Sequence, residues 1–140
     1  MKLWQKDIAS LKEVEQFTVG NDREMDKYLA PFDVIGSLAH IQMLESIGLL
    51  TKEELSQLQT ELKHIFKNIL DGKFILADDV EDIHSQIEIL LTAKLGDMGK
   101  KIHAARSRND QVLVDVKLFL RNELEAIVTS VHSLFELLQS

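Results

Sequence analysis

Three short stretches carry side chains able to do chemistry. The most charged is Lys100-Lys101-Ile102-His103-Ala104-Ala105-Arg106-Ser107-Arg108-Asn109-Asp110-Gln111, where five cationic or potentially cationic groups fall within nine residues. Arginine forks match carboxylates and phosphates, and the free amides of a helix start also favour anions. Asn109 adds an amide that both donates and accepts. This stretch reads either as an anion site for a small carboxylate or as a solvated basic loop with Ser107 or Asn109 as a helix cap. The second stretch is Glu81-Asp82-Ile83-His84. An acid beside an imidazole can orient a proton-carrying histidine. The alternative is a helix N-terminus whose acids simply complement its dipole. The third stretch runs from Asp33 to His40, with Gly36 next to Ser37 inside a helical pattern. Glycine there costs about 1 kcal/mol relative to alanine. It either lets a ligand or another backbone come close, or serves tight helix packing with Ser37 bonded back to its own helix.

The chain around these stretches has the size and composition of one ordinary domain. It has 140 residues, 45% hydrophobic and 28% charged, a balance that supports a core and argues against disorder. The formal net charge of −7 disfavours nucleic acid as a partner, because phosphate contacts want a basic face. There is no cysteine, which excludes a disulfide framework, a thiolate zinc site and a cysteine nucleophile. The five histidines (His40, His64, His84, His103, His132) show no convincing metal-ligand spacing, so no metal is expected. No stretch approaches the ~20 apolar residues of a membrane helix. The opening residues, Met1 to Asp7, lack a signal-peptide pattern. A cytoplasmic location is expected, with no membrane partner.

The elements that must position these residues read as helices. Leu11, Val14 and Phe17 suit a short amphipathic helix, and Gly20-Asn21-Asp22 signals a turn. Pro31 suits a helix start, followed by apolar residues at helical spacing from Val34 to Ile47 and a stop at Gly48. Thr51-Lys52-Glu53-Glu54 is a capping box that opens the next helix. Its apolar face is Leu55, Leu58, Leu62, Ile65, Phe66 and Ile69, and Gly72 ends it. Ile83, Ile87, Leu90, Leu91 and Leu95 mark a third stripe, closed by Gly96. Residues 96–108 read as a loop. The last helix is expected to begin near Asn109 or Asp110. Leu113, Val116, Leu120, Leu124, Ile127, Val131, Leu134 and Leu138 form a heptad-like seam about 45 Å long. The preceding residues cannot cover it all, so the chain is either oligomeric through this helix or part of something longer. Its exposed apolar side predicts self-association or poor solubility of the isolated chain.

Taken together, the three stretches resemble the argininosuccinate lyase family. His103-Ala104-Ala105-Arg106-Ser107-Arg108-Asn109-Asp110-Gln111 is similar to that family's H-T-x-R-S-R-N-D-Q segment, with Ala104 at the usual threonine. Leu29-Ala30-Pro31-Phe32-Asp33 through Gly36-Ser37-Leu38-Ala39-His40 resembles its first helix motif. Glu81-Asp82-Ile83-His84 with Glu88 resembles its E-D-I-H-x-x-x-E segment. Leu3-Trp4 is followed by Gln5-Lys6-Asp7 instead of the family's usual G-G-R-F.

The resemblance implies an all-α, fumarase/aspartase-like fold. Residues 1–108 would be a small helical N-terminal domain, and 109–140 the first, truncated helix of a long-helix bundle. It implies a homotetrameric parent that cleaves argininosuccinate to arginine and fumarate without a cofactor. Ser37, Asn109, Arg108 and Arg106 match substrate-binding positions, and Asp82 and His84 a supporting segment. The acid and base are expected beyond Ser140, so no catalytic residue is assigned here and the piece alone should be inactive. The alternatives are a lyase-derived structural protein without activity, a helical oligomerisation module, and a sister lyase of the same superfamily.

Overall fold

The computed structural model describes residues 21–139 together with Phe17. Among them are five helices and no strand, in line with the all-α expectation. They are α1 (Asp22–Ser46), α2 (Lys52–Leu70), α3 (Ile83–Leu95), the single turn α4 (Asp97–Lys100) and α5 (Arg108–Gln139), with a 3₁₀ turn over Lys101–His103. The expected helix around Leu11 and Val14 lies outside the described residues. Phe17 is helical and exposed.

Helix α1 starts nine residues before the Pro31 boundary expected from sequence, and Pro31 lies in its interior. The Asn21 carbonyl accepts the amides of Glu24 and Met25, and Asp22 and Glu24 in the first turn complement the helix dipole. An interior proline costs about 3 kcal/mol. Packing overrides that local preference, because Ala30, Asp33 and Val34 around it are all buried. The C-terminal stop is as expected. Gly48 adopts φ +78°, and the Leu49 amide returns to the Leu44 carbonyl at 2.9 Å.

A short link then leads into α2 through the capping box. The Glu54 amide donates to Thr51 Oγ1 at 3.1 Å, and the Thr51 amide to Glu54 Oε2 at 2.9 Å. The α2 stripe Leu58, Leu62 and Ile65 closes on Ile41 and Leu44 of α1 and on Ile87 and Leu91 of α3. Each such buried side chain contributes about 1.5–3 kcal/mol.

Between α2 and α3 the chain crosses the first turns of α1 and is tied there. Arg23 donates to the carbonyls of Ala77 at 2.6 Å and Asp78 at 2.8 Å. The Ile83 amide donates to Asp26 Oδ2 at 2.9 Å. These bonds fix where α3 begins, and Asp82 caps it by accepting the Ser85 amide at 2.8 Å.

Residues 96–108 are more ordered than the loop expected from their glycines. Gly99 is buried, and a Cβ there would meet the backbone of Leu91 and Thr92 at 2.5 Å. Only glycine lets this turn lie against α3.

Helix α5 begins at Arg108 and packs its first turns along α1. A Cβ on Gly36 would lie 3.2 Å from Val114 Cγ1, so the missing side chain sets the approach of the two helices. Phe32 and Phe119 meet edge to face at 5.9 Å. From Leu120 onward every described residue is exposed, including Leu124, Ile127, Val131, Leu134 and Leu138 of the apolar seam. No described helix is long and apolar enough to cross a membrane.

Two outcomes follow. Gly99→Ala should destabilise the chain by about 1–3 kcal/mol, since rigid backbone must move, and urea unfolding against wild type measures it. The bare seam of α5 should give concentration-dependent association in sedimentation. A strictly monomeric chain would contradict that packing argument.

Candidate functional site

The three chemistry-bearing stretches lie far apart in sequence and meet where α1, α3 and the start of α5 converge. His84, in the first turn of α3, is buried. Its Nδ1 lies 2.8 Å from Asp33 Oδ1 of α1, across 51 residues of sequence, and 3.7 Å from Asp115 Oδ2 of α5. Gln111 Nε2 also reaches Asp33 Oδ1, at 3.4 Å. Asp33 and Asp115 are each only 1% exposed. One imidazole nitrogen therefore faces two buried carboxylates on two different helices.

Arg106 enters the same region from the turn before α5. Its Nη2 donates to the buried Ser37 Oγ at 3.0 Å, across 69 residues. No carboxylate forms an ion pair with it among the described residues. Burial lowers its pKa, against the pull of Asp33 and Asp115. Five buried polar atoms here have no hydrogen-bond partner among the described residues: Asp33 Oδ2, His84 Nε2, Arg106 Nε, Gln111 Oε1 and Asp115 Oδ2. Asp33, His84, Arg106 and Gln111 also line a cavity of about 10 Å³, room for about one water-sized group. Beside it, between Gly36 and Met43 of α1 and Val114 of α5, lies a wider groove of about 350 Å³.

The remaining sequence-predicted residues divide. Arg108 turns to the start of α3, with its Nε 2.9 Å from Asp82 Oδ2 and Nη1 3.5 Å from Glu81 Oε1. It locks the α5 start to the α3 start. Asp82 serves as both a cap and an anchor. Asn109 is exposed, and the structure does not bring it against the buried cluster. Ser107 and Asp110 cap α5 reciprocally, the Ser107 amide donating to Asp110 Oδ2 at 2.8 Å and the Asp110 amide to Ser107 Oγ at 3.4 Å. Gly36 serves the close packing of α1 on α5, while Ser37 bonds across to Arg106 and not back to its own helix.

Sequence reasoning missed Asp33, Gln111 and Asp115 as members of the cluster. Asp33 and Gln111 lay inside noted stretches. Asp115 lay in the middle of an apolar helical pattern, where an acid on the buried face was the one available signal.

Charge in the cluster is unevenly tolerated. Burial pushes the Asp115 carboxyl up, and the neighbouring charge of Asp33 adds to it, against His84 and Arg106, bringing it to about 7. Burial works against a charged His84, but the hydrogen bond and charge of Asp33, with Asp82 and Asp115, outweigh it and raise its pKa. The nearest ligand atoms of Asp33, His84 and Asp115 all lie within 4.8 Å of one another, a set that in type would suit a divalent cation. A cation would have to displace the proton bridging His84 and Asp33 and tolerate the Arg106 guanidinium nearby. The arrangement is better suited to holding protons and presenting His84 Nε2 and Arg106 to an anion.

The sign of the pH dependence follows. Between about pH 4 and 7 folded Asp115 keeps a proton that the unfolded chain has released, so its contribution to stability falls as pH rises through that window. Asp115→Asn should flatten stability over this range. Urea midpoints at pH 5 and pH 7.5 would test it, and an unchanged slope would contradict the assignment.

The family described as "Lyase" matches residues 5–140. Curated relatives named "Argininosuccinate lyase" are similar over most of the chain. The protein of Bacteroides thetaiotaomicron is 60% identical over 137 residues, covering 98% of this chain and 31% of its own length. That of Bacteroides fragilis is 59% identical over the same coverage. The Thermotoga neapolitana protein is 44% identical over 126 residues, covering 90% of this chain and 32% of its own. The chain thus spans about a third of the length of these relatives. By its helical architecture and by a match that takes in all three converging stretches, the chain belongs to the lyase family.

Proposed function

We propose that this chain is the N-terminal part of an argininosuccinate lyase, which cleaves argininosuccinate reversibly to arginine and fumarate by β-elimination. The observation that carries the reading is the convergence of the three stretches on a buried polar cluster that takes in Arg106 and His84, in a chain similar to proteins of that name. In such an elimination a base removes a proton beside a carboxylate, and the electron pair spreads into that carboxylate. The C–N bond then breaks as an acid protonates the leaving guanidine nitrogen. Stabilising the developing carboxylate charge is work for preorganised cations and amide donors in a dry setting. Arg106, half-buried with no carboxylate ion-paired to it among the described residues, and His84 Nε2, which has no hydrogen-bond partner among them, are of that kind.

Ser37, Arg106, Arg108 and Asn109 take substrate-binding roles in this reading, with Asp82 and His84 in support. Arg108 acts through Asp82 and Glu81 as an organiser of the two helix starts. Asn109 is exposed on this chain, which suits contact with a substrate held partly by other segments. The acid and base belong to the two-thirds of the relatives' length outside this chain, and the reaction calls for no cofactor. Residues 1–108 form the N-terminal domain and 109–140 the first bundle helix. The bare seam of α5 joins the bundle of a homotetramer, in a cytoplasmic enzyme of arginine biosynthesis.

The purified 140-residue chain should not turn over argininosuccinate, while the full-length protein should. Activity of the short chain would overturn the placement of the acid and base, and inactivity of the long one would favour a structural protein built on the lyase fold. In the full-length protein, Asn109→Ala should lower kcat/KM by about 10–100-fold through the loss of an amide contact to developing charge. Unchanged kinetics would remove Asn109 from the site.

A further inference from the structure

We propose that His40 is a positioning residue for this site: it holds the turn at Ala104–Ala105 in the shape that aims Arg106 inward. The inference rests on the lyase reading only for what Arg106 then binds.

The geometry starts at Ala105, which has φ +59° and is the one non-glycine residue with positive φ among those described. A left-handed backbone costs an alanine about 1–2 kcal/mol, so the turn needs an external restraint. His40 Nε2 lies 2.8 Å from the Ala104 carbonyl oxygen, 64 residues away in sequence. A carbonyl only accepts, so Nε2 carries the proton and donates. On the same helix, three residues earlier, Ser37 receives Arg106 Nη2 at 3.0 Å. Residues at i and i+3 share a helix face. One face of α1 therefore grips the turn on both sides of the strained residue, at 104 and at 106.

Arg106 itself needs this restraint. Its guanidinium is partly desolvated, its Nε is buried without a partner, and no carboxylate pairs with it among the described residues. A cation in that position gains by swinging out to water. The single bond to Ser37 opposes this, and a turn fixed by His40 removes the backbone freedom the swing requires. Burial, and then the charges of Arg106 and His103, lower the pKa of His40 despite its bond to Ala104. His40 therefore acts as a neutral clamp and adds no competing cation.

The test uses the full-length lyase. Phenylglyoxal labelling of Arg106 is read by mass spectrometry, with Arg108 in the same protein as the reference. Steady-state kinetics with argininosuccinate run in parallel. His40→Leu should raise Arg106 labelling several-fold and raise KM about tenfold, with a smaller change in kcat. His40→Gln, which keeps a donor near the Ala104 carbonyl, should stay close to wild type. Adding Ala105→Gly to His40→Leu removes the left-handed penalty and should recover part of the loss. Ala105→Val attacks the turn from an exposed position without touching His40 and should reproduce the His40→Leu effect, even if His40→Leu fails to fold. Unchanged Arg106 labelling in a folded His40→Leu protein, or in Ala105→Val, overturns the inference. Labelling that rises while KM stays constant supports the clamp and instead removes Arg106 from the substrate site.

Discussion

The buried contact between His84 and Asp33, with Asp115 approaching the same ring nitrogen, is the constraint on which the arrangement depends. It joins α1, α3 and α5 through groups that water would otherwise solvate. Taking away His84 or Asp33 would leave the other's charge buried without compensation, a loss typically of about 3–5 kcal/mol. Replacing all of it with apolar side chains of the same volume would cost far less, so stability does not account for the cluster. What it supplies is a defined location for His84 Nε2, and with it a polar corner in an otherwise apolar junction.

That corner exists because neighbouring elements are allowed unusually close. Gly36 admits Val114 and brings Asp115 within reach of His84. Gly99 admits the α4 turn against the backbone of α3, which sets the path of the chain toward Ala105 and Arg106. The ties from Arg23 and Asp26 to residues 77–83 fix the start of α3 from the other direction. Small residues and backbone-directed side chains thus place the functional groups, while the apolar core of α1, α2 and α3 supplies most of the folding energy.

The chain is unevenly finished. Its first three helices close a conventional core, whereas α5 leaves that core after about three turns and continues with its apolar seam exposed. This pattern matches a chain spanning a third of the relatives' length. A long helix is locally cheap to form from good helix-forming residues, so it continues even where this chain supplies no surface to cover it.

Sequence alone determined the features that local chemistry encodes. The helical periodicity, the Thr51–Glu54 capping box, the glycine stops at Gly48, Gly72 and Gly96, and the Asp82 cap all depend on residues within a few positions of one another. The density of cations before α5 marked that stretch as either an anion site or a solvated basic loop, and composition alone did not choose between them. The tertiary structure decided what depends on groups brought together from afar. It carried α1 through Pro31, because buried neighbours outweighed the lost hydrogen bond. It separated Arg106, turned inward to Ser37, from Arg108, paired with Asp82, although the two look equivalent in the chain. It also made Asp115 a member of a buried polar cluster and His40 a clamp, since an acid on a helix face and a histidine on another acquire those roles only from the element packed against them.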